Sequence, residues 1–168
     1  DLLGALADYE AALARDPNNV ETLVNIAVPL ARQRRVSEAQ KVLQKAVALA
    51  PDHIGARQRL GTHLVEAGDK EGAVNVFQSL LERDKANALA LENLASLLPP
   101  DQSVSLAKTV SRALKNQKKP SEERASLFFA LAHLARKAND IDGEASALGK
   151  ANADMQTLLP YDAAADTA

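Results

Sequence analysis

Cysteine is missing from this 168-residue chain, which excludes a disulfide framework, a thiolate zinc site and a cysteine nucleophile. Tryptophan is missing too, and aromatics make up only 3% of the residues, so an all-β core built on aromatic and β-branched side chains has little to draw on. Neither sign of charge prevails. Twenty Lys plus Arg face 22 Asp plus Glu, a formal charge of −2, without the basic excess needed to neutralise a nucleic-acid backbone. No apolar run approaches the roughly 18 residues of a membrane-spanning helix. The expected partners therefore include no nucleic acid and no membrane, and the expected compartment is the cytoplasm. Residue 1 is Asp, so the natural N-terminus, with any targeting peptide, is expected upstream. What the chain has in quantity is Ala and Leu, within a hydrophobic content of 46%. Both head the helix-propensity ranking, so the expected core is helices packed closely through small residues.

The chain repeats itself. Pro17 and Pro51 stand 34 residues apart and close similar phrases, "ALADYEAALARDPNN" and "EAQKVLQKAVALAPDH". Between them run Leu23, Ile26, Ala27 and Leu30, then Ala39, Leu43 and Ala46: large, large, small, large on one helix and small, large, small on the next. Adding 34 gives Arg57, Leu60, Gly61, Leu64, Ala73, Phe77, Leu80 and Lys85, of which five keep the large or small type. A further 34 gives Leu91, Leu94, Ala95, Leu98 and Ala107, after which the register blurs at Ser111 and Leu114. A last copy, displaced by three residues, reads Phe128, Leu131, Ala132, Ala135, Leu148 and Ala151. Ala5, Tyr9, Ala12 and Pro17 supply only the second half of a unit.

This order of large and small positions, with a closing proline, resembles the tetratricopeptide repeat, a 34-residue helix-turn-helix unit. The resemblance implies an all-α fold, a right-handed α-α superhelix of about four and a half hairpins whose concave face is lined by the first helix of each pair. Elementary packing points the same way. Ala27, Gly61, Ala95 and Ala132 are expected where the helices of a hairpin approach most closely, with bulky residues one turn away filling the space between hairpins.

Period and breakers together predict helices near 2–15, 20–33, 36–49, 53–67, 70–83, 87–98, 102–116, 121–138 and 142–158. Residues 1–160 are expected to form a single repeat domain, and 161–168 a linker towards a further C-terminal domain. Gly68-Asp69 and Pro99-Pro100 are read as helix stops, and Pro120-Ser121-Glu122-Glu123 as a capped start. Two residues depart from the pattern. Pro29, inside a predicted helix, deprives the Asn25 carbonyl of its donor and predicts a kink. Arg57 stands where a large apolar residue is usual, and is expected to snorkel over apolar neighbours or to pair with an acid.

From Pro120 the phrases "ASLFFALAHLARKAND", "ANA" and Tyr161-Asp162 with Asp166 resemble, in order, the last repeat of bacterial proteins in which such repeats precede a sulfotransferase domain. Ile141 and Gly143 depart from that pattern, and Gly143 is expected to weaken the start of its helix. That resemblance implies a non-catalytic N-terminal region of a larger enzyme. No phosphate-cradling loop is present, the Gly68 and Gly72 pair in "EAGDKEGA" lacking a preceding strand. His53, His63 and His133 have no ligand spacing, the serines have no convergent base, and Glu122-Glu123 reads as helix capping. Accordingly no catalytic residue, cofactor or metal is expected, and the cations at 32–35 and 115–119 read as solvated helix ends.

Recognition by a surface remains. Carried over from the repeat family, the groove-lining positions are Glu21, Val24, Asn25, Val28 and Arg32, then Gln58, Arg59, Thr62 and Glu66, then Glu92, Asn93 and Ser96, then Phe129, His133 and Arg136. The binding candidates among them are Asn25, Arg32, Gln58, Arg59, Thr62, Glu92, Asn93, Ser96 and His133. Val24 and Val28 occupy places where family members that clamp a peptide C-terminus carry Lys and Asn, so that clamp is not expected. Arg32 and Arg59 are suited to an acidic or phosphorylated group. The partner is expected to be a protein or peptide ligand or the chain's own C-terminal domain, with a homodimer through the open edge at 1–15 as a further expectation.

Overall fold

The computed structural model describes residues 2–159, and among them the regular structure is entirely helical. In chain order the helices are α1 (Leu2–Arg15), α2 (Val20–Arg32), α3 (Val36–Leu49), α4 (Ile54–Glu66), α5 (Lys70–Arg83), α6 (Ala88–Leu97), α7 (Pro100–Leu114), α8 (Glu122–Lys137) and α9 (Ile141–Leu158). All but α7 begin and end within one residue of expectation. Pro100 does more than stop α6. It opens α7 from inside the first turn, where a missing N–H costs nothing, and so moves that helix two residues towards the N-terminus. The linker expected at 161–168 lies outside the described residues.

The starts of the first helices share one device at the repeat spacing. Asn19, His53, Asn87 and Ser121 are N-caps 34 residues apart, and each side chain accepts the N–H three residues on, from Thr22, Ala56, Ala90 and Arg124. Asp16 and Asp84 brace two of these loops, each carboxylate accepting from a backbone N–H two residues on and from the cap's amide.

The chain gathers into two compact units, Asp1–Leu80 and Leu81–Ala168, the boundary falling within α5. In the first, α1 packs on α2, α2 on α3 and α3 on α4. Its core is the predicted set: Leu23, Ile26, Ala27, Leu30, Ala39, Leu43, Ala46, Leu60, Leu64, Ala73, Phe77 and Leu80 are all buried. Full burial of a side chain the size of Leu43 or Phe77 contributes about 1.5–3 kcal/mol. Gly61 is required by close approach, since a Cβ there would stand 2.6 Å from the Phe77 ring. Pro29 is buried within α2, which continues to Arg32. Arg57 neither points outward nor merely covers grease: its Nε donates to the Pro51 carbonyl at 2.8 Å and its Nη1 to Ser79 Oγ at 3.0 Å, strapping α4 to the preceding turn and to α5.

Both hairpin turns of this unit close through a left-handed residue. At Arg34 (φ 62°), the Arg35 N–H reaches back to the Leu30 carbonyl and the Arg34 N–H to that of Ala31. At Gly68 (φ 83°), the Asp69 and Gly68 N–H groups reach Leu64 and Val65 in the same way.

In the second unit α6 packs on α8, α7 on α6 and α8, and α8 on α9. Here the first helices change length. The α2 and α4 helices have 13 residues each, α6 has 10 and α8 has 16. The Ser121 cap keeps phase and α9 begins three residues late, so the displacement expected for the last copy applies to α9 and is not met at the large positions of α8. Its buried face is Ala125, Leu127, Ala130, Ala132 and Leu134, while Phe128, Leu131 and Ala135 are only half-buried. The α8–α9 turn repeats the left-handed closure at Asn139 (φ 57°). The helix α9 starts at Ile141 with Gly143 in its first turn, the Gly143 N–H being taken by the Asp140 cap at 2.9 Å.

The α6–α7 turn differs. Pro99 and Pro100 would ordinarily donate N–H groups to the carbonyls of Ala95 and Ser96, and prolines cannot. Pro99 also holds Leu98 extended, at ψ 146°. The missing donors come from α8, whose extra turn carries Lys137. Its ammonium donates to the carbonyls of Ala95, Ser96 (2.9 Å) and Leu98. Burial pushes the Lys137 pKa down.

Candidate functional site

In the first unit α2 and α4 bound a cleft of about 290 Å³. Its floor is Ala27, Val28, Ala31 and Leu43, and its polar lining is Arg32, Arg59, Thr62, His63 and Glu66. Helical spacing explains the grouping. Val28, Ala31 and Arg32 lie on one stripe of α2, and Arg59, Thr62 and Glu66 on one stripe of α4. Arg32, Arg59 and Glu66 are exposed, whereas His63 is 5% exposed and fixed by a 3.1 Å hydrogen bond between its Nε2 and the Val36 carbonyl.

Of the five candidates in this unit, the cleft thus brings together Arg32, Arg59 and Thr62. Asn25 is exposed and Gln58 half-buried, and neither lines it. Val24, read as groove-lining, is instead buried against Ala46 and Ala56. Glu21 is engaged at the start of α2, its carboxylate 2.8 Å from His53 Nε2. Because His53 Nδ1 accepts the Ala56 N–H, that ring's proton sits on Nε2 and is donated to Glu21.

The second unit holds the remaining four. Asn93 turns back on its own helix, donating Nδ2 to the Leu89 carbonyl at 2.8 Å. Ser96 is exposed, with its carbonyl held by Lys137. Glu92 and His133 are half-buried neighbours. Burial lowers the His133 pKa from its ordinary value, the Glu92 charge opposes that shift, and Arg136 and Lys137 add to it. Arg136 itself is bound to Glu144 and is therefore less available than its exposed position suggested.

Two features escaped the sequence reading. One is Lys137, whose signal was the pair of donorless prolines at 99–100. The other is an ion pair between Arg124 and Asp154. Asp154 is 2% exposed, its Oδ2 lies 2.8 Å from Arg124 Nε, and its Oδ1 accepts from Arg124 Nη2 at 3.0 Å. The Nε–Oδ2 approach is an electrostatic contact rather than a well-aligned hydrogen bond. The Arg124 guanidinium and the Lys150 ammonium each stand over the Phe128 ring, 5.6 and 5.8 Å from its centroid. An aspartate on the inner face of an Ala-rich helix carries no spacing signal until its partner is known.

Among the described residues no group of three His, Cys, Asp or Glu could hold a metal ion, and no helix is long and apolar enough to cross a membrane. Capped hairpins with a shared core and a polar-rimmed cleft between first helices define a helical-repeat scaffold. The family model for the tetratricopeptide repeat matches residues 1–52 and 30–98, together more than half of the chain, which therefore belongs to that family. A comparison with curated proteins finds no match.

Among solved structures, the chain is similar to a tetratricopeptide repeat protein from Parabacteroides merdae, with 20% identity and TM-score 0.71 over 92% of this chain and 60% of the other. It is similar also to MamA from Desulfovibrio magneticus RS-1, with 20% identity and TM-score 0.68 over 93% and 86%. A third is YrrB, described as a repeat protein with an unusual peptide-binding site, with 17% identity and TM-score 0.64 over 91% and 77%. The fold class is all-α, the α-α superhelix.

Proposed function

We propose that this chain is a non-catalytic scaffold that binds a protein or peptide, with the α2–α4 cleft as its principal contact. The observation that carries the reading is the cleft's composition: an apolar floor with Arg32, Arg59, Thr62 and Glu66 around it. A floor of Val28 and Ala31, backed by the buried Leu43, takes an apolar side chain, and the two guanidiniums take a carboxylate or phosphoryl group beside it. The peptide-binding site reported for YrrB supports a peptide as the ligand class. Glu92 and His133 are a secondary contact within the second unit, and Asn25, Gln58, Asn93 and Ser96 are peripheral to both. The proposal treats residues 1–160 as one binding domain.

Selection of peptides from a displayed library on the full chain tests it. Arg59→Ala and Arg32→Ala should each weaken the selected peptides about fivefold, a loss of about 1 kcal/mol. Unchanged affinity of every selected peptide for Arg59→Ala would overturn the reading, as would turnover by the chain itself.

A second reading makes the chain the substrate-positioning arm of a bacterial sulfotransferase. It is supported by the ordered phrases between Pro120 and Asp166. Reading the gene downstream of Ala168 tests it: a phosphate-binding loop there favours this reading, and a stop codon or an unrelated domain ends it.

A further inference from the structure

Charge is balanced over the whole chain but not along it. Residues 102–121 carry five Lys or Arg and no Asp or Glu, which leaves the remainder at −7. Three of the five, Lys108, Arg112 and Lys115, follow at i, i+4 and i+7 on α7 and its C-cap, and so share one face. All three are exposed, as is Lys85 in the loop before α6. Among the described residues no acid is paired with any of the four. The acid adjacent in sequence, Asp84, is turned into its own loop, accepting from Ala86 and Asn87.

Cations at a helix end ordinarily complement the dipole of the last turn, but Lys108 stands two turns from the end of α7, outside that range. Between Lys85 and Arg112 the surface opens into a cleft of about 330 Å³, with Leu81, Ala86 and Ala113 as its apolar part and Asn116 at its margin. A volume of that order is within the range of ligand pockets. Arg112 also lines a shallower depression with Lys108 and Lys115, so the cleft and the stripe form one continuous surface.

We propose that this face of α7, with its adjoining cleft, is an interaction surface for an acidic peptide segment of a partner protein. An apolar side chain of that segment enters over Leu81 and Ala86, and flanking carboxylates meet Lys85 and Arg112, with Lys108 and Lys115 extending the contact along the helix. The surface belongs to the second unit and is independent of the α2–α4 cleft. Two other anionic partners fit less well. Nucleic acid would call for a stacking platform, and neither residues 102–121 nor the cleft contains an aromatic side chain. A membrane would call for a free apolar helix face, and that of α7 (Leu106, Val110 and Ala113) is already buried.

The test uses the full chain and a fluorescein-labelled dodecapeptide of Glu with Leu at every third position, followed by anisotropy at 50 and 300 mM salt. The expected result, measured in an Arg59→Ala background that weakens the α2–α4 cleft, is saturable binding that weakens with salt, falls at least tenfold when Arg112→Glu or Lys85→Glu is added, and is unchanged by Lys70→Glu. Replacing the peptide's Leu residues by Gly should also cost at least fivefold. Circular dichroism on each variant reports folding, and these exposed positions should leave it unaltered. Unchanged affinity in Arg112→Glu overturns the proposal. So does equal binding of the Gly peptide, or tighter binding of a 20-nucleotide single strand or of phosphatidylserine vesicles that is likewise lost in Arg112→Glu.

Discussion

The two units share one way of ending the first helix of a hairpin, the left-handed closure at Arg34, Gly68 and Asn139, and part at α6. In the first unit the α2 and α4 turns are local. A left-handed residue, Arg34 or Gly68, lets the next N–H groups reach back to the last carbonyls. In the second unit the α6 turn is non-local: two prolines withhold the donors, and a lysine about 40 residues away in α8 supplies them. The second unit also ties α8 to α9 by a desolvated ion pair, whereas the Arg35 contacts with Glu10 and Glu38 in the first unit are open to water. A local closure tolerates substitution elsewhere. A non-local one couples distant helices, so damage to it should be larger and should spread.

The largest effect is expected at Asp154. Its replacement by Ala leaves the Arg124 guanidinium partly buried without its anion, at a cost of about 3 kcal/mol, read as a lower urea midpoint. Arg124→Met combined with Asp154→Leu should regain most of that loss, because two packed apolar side chains avoid desolvating any charge. A single-variant loss below about 1 kcal/mol would remove the ion pair from this comparison.

Lys137→Met comes next, at about 2 kcal/mol, since it keeps the aliphatic stem and deletes the donors to three carbonyls. A cycle with Pro99→Ala sharpens it. Restoring an N–H at 99 and freeing Leu98 to turn helical should shrink the cost of Lys137→Met. An equal cost in both backgrounds would mean that the lysine does not substitute for the missing proline donors.

How far the residues alone could reach follows the same division. Local and periodic signals were legible: the Gly68 stop closes within a few residues, and the small positions at Ala27 and Gly61 recur at the 34-residue spacing even though Gly61 packs on Phe77 of the next helix. Of the candidate site, the α2 and α4 stripes were legible through helical period, which is why Arg32, Arg59 and Thr62 meet in one cleft. Val24 was misread because one turn of helix separates groove from core, and a valine suits either. Lys137, Asp154 and the Ser79 strap on Arg57 stayed hidden because each depends on a partner more than 20 residues away. Even the N-cap series at 19, 53, 87 and 121 was only partly legible, since His53 caps through a ring nitrogen rather than the usual short side chain.

A smaller effect separates the two local closures from each other. Gly68→Ala places a Cβ on a residue at φ 83° and should cost about 1 kcal/mol, although nothing stands within 4 Å of that Cβ, so the whole loss is backbone strain. Arg34→Gly relieves the same strain at φ 62° and should gain up to about 1 kcal/mol. Opposite signs in thermal unfolding of the two variants would establish that both turns use the left-handed closure in the same way, and a loss in Arg34→Gly would show that its side chain contributes more than its strain costs.

The smallest effect is one of pH, and it is confined to the second unit. Burial lowers the His133 pKa, so the fold favours the neutral ring. A group with a depressed native pKa contributes fully above its ordinary value near 6.5 and loses that contribution as pH falls below it, because the unfolded chain takes up the proton first. The wild type should therefore lose more thermal stability than His133→Gln between pH 7.5 and pH 5. Glu92 works against that loss by favouring the charged ring, so Glu92→Gln should steepen it, while Arg136→Gln, removing a neighbouring cation, should flatten it. If the wild type instead gained stability relative to His133→Gln on acidification, the Glu92 charge would outweigh burial. Glu92 and His133 would then form a charge pair across α6 and α8, a second non-local tie beside Lys137.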